Sequence, residues 1–221
     1  MIMRLIGDVH GKYDRYKKII GDCKNSVQVG DMGVGFRRLG TMRGDVKEFY
    51  ANPPHYAMTE GNHRFIRGNH DNPSVCKNHS QYIPDGYMEN NMMFVGGALS
   101  IDRHMRQEDY NWWPEEELSM NQLNDIIDNY LQHKPEIMVT HECPDDIAFK
   151  FLYSEKFEDK SRTRQAFSSM WQMHKPKMWI FGHWHRSYNE NVLGTQFICL
   201  NELEYVDIDT ENCYVIERRE P

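Results

Sequence analysis

The chain has 221 residues, 39% hydrophobic and 27% charged, which excludes a disordered polypeptide and allows a substantial core without covalent staples. Its formal net charge of −7 argues against duplex nucleic acid as a bulk partner, although a local basic groove is still allowed. Five scattered cysteines and no CxxC pair point away from a disulfide framework or zinc ribbon and towards a reducing compartment.

The opening Met1–Gly7 is too quickly polar for a signal peptide, and no run approaches the roughly 20 apolar residues of a membrane span. The expectation is a cytoplasmic protein with one domain, 1–221.

In chain order, Met1–Ile6 reads as a buried strand broken by Gly7-Asp8. Asp14–Gly21 reads as a helix with Tyr16, Ile19 and Ile20 on one face. Val27–Val29 is a short strand ending in Gly30-Asp31, and Thr41–Tyr50 is expected to be helical up to Pro53-Pro54. Phe65-Ile66 is a brief apolar core before Gly68-Asn69. Met92–Val95 is a strand, interrupted by Gly96-Gly97 and resumed over Ala98–Ile101. Pro114–His133 is predicted to be one long helix, with Pro114 and three glutamates in its first turn. Ile137–Val139 and Met178–Phe181 are further strands, Arg162–His174 a further helix, and Thr195–Arg218 two or three short strands.

Five of these apolar strands end directly in polar groups able to bind a metal: Asp8/His10, Asp31, Asn69/His70, His141 and His183/His185. Strand ends gather sequence-distant loops on one rim in α/β folds. Any one such residue is more simply a turn, a cap or a hydrogen-bonded histidine. Five ends carrying mixed carboxylate, amide and imidazole groups are not explained that way. Periodicity alone leaves a single doubly wound sheet open as the architecture.

The blocks are Gly7-Asp8-Val9-His10-Gly11, Gly30-Asp31-Met32-Gly33, Arg67-Gly68-Asn69-His70-Asp71, Thr140-His141 and Gly182-His183-Trp184-His185. Each is weak alone, but in this order they resemble the signature of the calcineurin-like metallophosphoesterases, and the likeness spans Asp8 to His185. The resemblance implies two facing mixed β-sheets flanked by helices. It implies two divalent ions, one held by Asp8, His10 and His185, the other by Asn69, His141 and His183, with Asp31 between them. Mixed oxygen and nitrogen ligands suit manganese first, with iron, zinc or nickel as alternatives. The activity implied is in-line hydrolysis of a phosphate ester by a metal-bridging hydroxide.

His70 resembles the family's catalytic histidine, which protonates the leaving oxygen or holds the phosphate. Asp71 is the local candidate for a carboxylate that keeps it oriented and cationic; the alternative is a turn or cap opening Asn72-Pro73-Ser74. Gly61-Asn62-His63 repeats the same string, but Arg64 follows it and it precedes the apolar pair Phe65-Ile66. The site is therefore expected at Asn69-His70.

Where protein phosphatases of the superfamily carry an Asp and an Arg, the second block has Val34 and Gly35. That shifts the expected substrate towards phosphodiesters or nucleotides. Phosphomonoesters, phosphoproteins, nuclease action and a non-enzymatic scaffold remain alternatives. Candidate phosphate-binding groups are Arg37, Arg38, Arg103, His104 and Arg106. The last three lie in a loop that also holds Trp112 and Trp113 and resembles a bacterial and phage subgroup.

Overall fold

The computed structural model describes residues 1–42, 45–50, 55–151 and 160–220, with backbone alone described over 37–42, 45–50 and 55–56. Side chains alternating along the strands sort into three apolar layers. In β1 (Ile2–Ile6), Met3 and Leu5 enter one cluster and Ile6 another. In β7 (Met92–Val95), β8 (Ile137–Thr140) and β9 (Met178–Phe181), the residues Phe94, Val139 and Ile180 face the same cluster as Leu5. Val95, Met138, Trp179 and Phe181 face the opposite way. These strands are buried on both faces, which is why they read as unbroken apolar runs.

The central cluster lies between two mixed sheets. The first has the order β13-β12-β1-β2-β5, using β2 (Asn25–Gln28), β5 (Asn62–Phe65), β12 (Tyr205–Asp209) and β13 (Tyr214–Arg219). Within it β1, β2 and β5 are parallel, and β12 runs antiparallel to β1. The second sheet has the order β10-β11-β9-β8-β7-β6, using β6 (Tyr87–Glu89), β10 (Tyr188–Val192) and β11 (Thr195–Cys199). Its four central strands are parallel. The expected pair of facing mixed sheets is therefore present, and the single doubly wound sheet is not.

Helix α1 (Tyr13–Ile20) packs Tyr16 and Ile20 on the outside of the first sheet. On the outside of the second lie α4 (Met120–His133) and α6 (Arg162–Met173), which contribute Leu123, Ile126, Tyr130, Phe167 and Met170. Shorter helices are α2 (His55–Thr59), α3 (Pro73–Cys76) and α5 (Asp145–Ala148).

Three sequence expectations are corrected. Thr41–Tyr50 is not a helix: β3 (Arg37–Met42) pairs antiparallel with β4 (Asp45–Tyr50), Met42 opposite Asp45. Gly44 in the middle of that stretch disfavours a helix by about 1 kcal/mol relative to alanine, and Val46, Phe49 and Tyr50 are good strand formers. The long helix does not begin at Pro114. A 3-10 turn spans Pro114–Glu116, and α4 starts only after Ser119, which forms a reciprocal capping box with Gln122. Glu116 and Glu117 are buried instead of lining an exposed first turn. Finally, Ala98–Ile101 does not resume a strand, because Gly97 turns the chain at φ +82°.

Candidate metal centre

The C-terminal ends of β1, β2 and β5 in one sheet, and of β8 and β9 in the other, open onto the same rim. Asp8, His10, Asp31, Asn69, His70, His141, His183 and His185 all project from it. Four of them, His10, Asp31, His183 and His185, have positive φ (49°, 59°, 68° and 49°). The chain thus turns sharply just beyond each strand, with backbone strain located at the site. Close approach is also built in: a Cβ on Gly68 would overlap Asp31 Oδ1.

Two groups of atoms form. In the first, His185 Nε2 lies 2.9 Å from Asp8 Oδ2 and 2.9 Å from His10 Nε2, and His10 Nε2 is 3.7 Å from Asp8 Oδ2. In the second, Asn69 Oδ1 is 3.1 Å from His141 Nε2 and 3.0 Å from His183 Nδ1. Asp31 lies between the groups, with Oδ2 3.8 Å from His10 Nε2 and Oδ1 3.3 Å from His141 Nε2.

The donor set fits a cation, and His141 shows why. Its Nδ1 lies 2.9 Å from the Val29 carbonyl, which can only accept, so Nδ1 carries the ring hydrogen. Whenever the ring carries only that hydrogen, Nε2 is a lone pair facing two oxygens at 3.1 and 3.3 Å. Lone pairs gathered this closely repel unless a cation sits among them, and a histidine whose other nitrogen donates to a carbonyl is oriented as metal ligands are. Asp8 Oδ2 is likewise buried, and its nearest polar neighbours are two ring nitrogens, His185 Nε2 at 2.9 Å and His10 Nε2 at 3.7 Å.

Electrostatics agree. Burial pushes the Asp31 carboxyl well above the usual range, reinforced by the negative charges of Asp8 and Asp71. Burial acts on Asp8 in the same direction but is outweighed by its contact with His185 and by the other nearby histidines, so its pKa is lowered. His183 is held well below the normal range by burial and by His141.

A cavity of about 360 Å³ opens over the centre, lined by Asp31, Asn69, His70, His183, His185, Asp102, Arg106, Ile101 and Trp184. His70 stacks flat on Phe36, with ring centroids 4.8 Å apart and 6° between planes, and Trp113 packs behind Phe36 at 6.2 Å. Arg106 Nη2 donates to His70 Nε2 at 2.6 Å and is steadied by Asp102 at 2.8 Å. Burial and the Arg106 charge lower the His70 pKa well below normal, so the ring is neutral here.

Asp71 does not orient that ring. Oδ1 accepts from the backbone N–H groups of Gly33 and Val34 (both 2.7 Å), and Oδ2 from those of Met32 (3.2 Å) and Gly68 (2.7 Å). His70 Nδ1 is buried without a hydrogen-bond partner. The expectation of a cationic His70 held by Asp71 is corrected on both counts. Asp71 ties the Asp31 loop to the Asn69 loop, and the neighbouring Asn72 caps α3.

The repeated string is placed elsewhere. Asn62 and His63 lie at the opposite, N-terminal end of β5, where His63 is buried against Ser26 Oγ at 2.9 Å. Of the phosphate-binding candidates, Arg106 reaches the cavity. Arg103 instead donates to the Ser100 carbonyl at 3.0 Å, His104 is exposed, and neither lines the cavity. The side chains of Arg37 and Arg38 lie outside the described residues.

Sequence reasoning missed a supporting layer. The buried Glu142 accepts from Trp184 Nε1 at 2.8 Å and lies 3.7 Å from His183 Nε2. Ser100 accepts from Asn69 Nδ2 at 3.0 Å and donates to Glu116 at 2.5 Å. Burial pushes the Glu116 carboxyl up, while the bonds from Ser100 act against that. Glu142 directly follows His141 in the chain, whereas Ser100 and Glu116 lie far in sequence from all five blocks.

No helix among the described residues is long and apolar enough to cross a membrane. Among curated proteins, none is similar in sequence at a significant level. Among solved structures, the chain is similar to TT1561 of Thermus thermophilus, at 12% identity over 99% of this chain and 97% of that one, with a TM-score of 0.57. It is also similar to a candidate 5′-nucleotidase from Staphylococcus aureus, solved with alpha-ketoglutarate, at 10% identity over 98% of this chain and 53% of that one, TM-score 0.53. A third is GAP50, the anchor in the inner membrane complex of Plasmodium, at 10% identity over 99% and 88%, TM-score 0.50. At these identities the likeness is one of fold. The family model for calcineurin-like phosphoesterase matches residues 4–187, and the chain belongs to that family of metal-dependent hydrolases of phosphate esters.

Proposed function

We propose that the protein is a dinuclear phosphoesterase leaning to phosphodiester or nucleotide substrates. The observation that carries this reading is the convergence of lone-pair donors from five strand ends into two groups with Asp31 between them. Asp8, His10 and His185 would hold one divalent ion, and Asn69, His141 and His183 the other, with one Asp31 oxygen facing each. Bound there, such ions polarise a phosphoryl group and make water a competent nucleophile near neutral pH.

Arg106 offers its guanidinium to a phosphoryl oxygen. In the free protein that guanidinium occupies His70 Nε2. A substrate phosphate that takes over Arg106 releases Nε2, and its negative charge favours uptake of a proton from solvent at Nε2, which the ring then donates to the leaving oxygen. Phe36 keeps the ring plane fixed meanwhile. Among the described residues Arg106 is the sole guanidinium lining the cavity, and Asp102 partly neutralises it. One such group suits the single negative charge of a diester better than the double charge of a monoester. A nucleotide is a natural diester or ester carrier within that class.

The test is a titration of metal-free protein with manganese, followed by hydrolysis of bis-nitrophenyl phosphate, nitrophenyl phosphate, cyclic nucleotides and dinucleoside polyphosphates. About two ions per chain and faster diester turnover are expected. Absence of bound ions, with no hydrolysis after manganese addition, would overturn the reading. Faster monoester turnover would overturn its diester part.

A further inference from the structure

We infer that Ser100 and Glu116 are positioning residues that fix which end of the Asn69 carboxamide faces the metal centre. This rests on the reading of Asn69 Oδ1 as a ligand. The two ends of an amide are nearly the same size, and hydrogen-bond partners decide which way it points. Here the decision starts at Glu116. Its carboxylate only accepts, and it grips Ser100 twice, taking the backbone N–H on Oε1 at 2.8 Å and the hydroxyl on Oε2 at 2.5 Å.

A hydroxyl has one hydrogen, and Ser100 has given it to Glu116. Towards Asn69 the Ser100 oxygen can therefore only accept, and Asn69 Nδ2 donates to it at 3.0 Å. Oδ1 must then point the other way, where it meets His141 Nε2 and His183 Nδ1. All three members are buried, at 3%, 1% and 2% exposure for Asn69, Ser100 and Glu116, so water does not substitute for any partner. The frame is fixed as well: Arg67, two residues before Asn69, holds the carbonyls of Glu115 and Glu116 at 2.9 Å each.

The relay has a polarity, and a conservative change reverses it. In Glu116→Gln the new amide oxygen still satisfies the Ser100 backbone N–H, but its NH₂ now faces the Ser100 hydroxyl. That oxygen accepts, its hydrogen turns to Asn69, and the carboxamide flips to present NH₂ to the centre. An NH₂ group cannot bind a cation. In Ser100→Ala the amide is merely unguided. In the double variant Asn69→Asp/Glu116→Gln the ligand has two equivalent oxygens, so reversal no longer matters.

The experiment is calorimetric titration of the metal-free full chain with manganese, alongside thermal melting. Asn69→Ala should weaken one binding event. Glu116→Gln should weaken the same event by about 10- to 100-fold, the usual effect of losing an outer partner, and Ser100→Ala by less. The double variant should return to within a few-fold of wild type. If Asn69→Ala leaves manganese binding unchanged, the ligand reading itself fails. If Asn69→Ala weakens binding and Glu116→Gln does not, or the double variant stays weak, the relay is overturned and Glu116 is structural. Should Glu116→Gln fail to fold, Ser100→Ala with and without Asn69→Asp decides by the same rescue.

Discussion

Replacing Asp71 by asparagine separates a structural carboxylate from one that serves His70. In the native protein each Asp71 oxygen accepts two backbone N–H groups, from Gly33 and Val34 on one side and Met32 and Gly68 on the other. In Asp71→Asn, whichever way the amide turns, its NH₂ faces two N–H donors, and two bonds to a charged acceptor are lost. Each such bond is worth about 1.5–3 kcal/mol. Part of that loss is offset because no charge need be buried, and burial does push the Asp71 carboxyl up against its N–H bonds. A net destabilisation of about 3 kcal/mol is expected, which for a domain of this size lowers Tm by roughly 6–12 °C. Thermal unfolding followed by circular dichroism, with manganese stoichiometry measured in parallel, checks this. Because Asp71 ties the Asp31 loop to the Asn69 loop, metal binding should weaken along with stability. A variant with Tm within about 2 °C of wild type and full metal loading, but slow turnover, would refute the argument and restore Asp71 as the partner of His70.

His70→Ala should lower turnover by about 10²- to 10⁴-fold while retaining metal, as read by elemental analysis; equal metal loss would make His70 a ligand. Gly68→Ala places a Cβ against Asp31 Oδ1 and His141 Nε2, so metal content should fall even if the protein melts normally, and full loading would show the loop has room. Asp209 is held down to about 2 by hydrogen bonds from the Asn212 side chain first and then the Glu211 and Asn212 N–H groups. Its folded pKa is below the unfolded value of about 3.9, so its contribution to stability is complete above that value and disappears as pH falls towards 2. An NMR titration should place its midpoint near 2 and higher in Asn212→Ala; an unchanged midpoint in that variant would remove the stated cause.

What the sequence made legible was whatever depends on short-range pattern. Strands such as Met92–Val95 and Met178–Phe181 are buried on both faces, so their apolar runs have the same bounds in the fold. The polar residues just beyond them come together because the parallel strands share a direction, and the Asn69 and Asn62 strings were separable because one follows β5 and the other begins it. Illegible were features decided by partners far away in the chain. Nothing local marks Glu116 as buried: three glutamates after a proline look like a helix start until Ser119 and Gln122 are seen to cap one another. Asp71 follows His70 in sequence, and adjacency suggested a pair. In the fold, backbone N–H groups more than 30 residues earlier compete for it and win.

The same division explains how an acidic chain can hold so much buried negative charge at one rim. Asp8, Asp31 and Asp71 are all fully or almost fully buried, and the like charges push Asp31 upward. That cluster opposes folding. It persists because each member is anchored from outside the cluster: Asp71 by four backbone N–H groups, Asp31 by the His70 N–H at 2.7 Å, and Asp8 by the His183 N–H at 3.1 Å. Those N–H groups belong to loops whose strands are locked by the apolar layer between the sheets. The core therefore fixes the loops, the loops fix the carboxylates, and the repulsion that remains among carboxylates and lone pairs is what a cation is positioned to relieve.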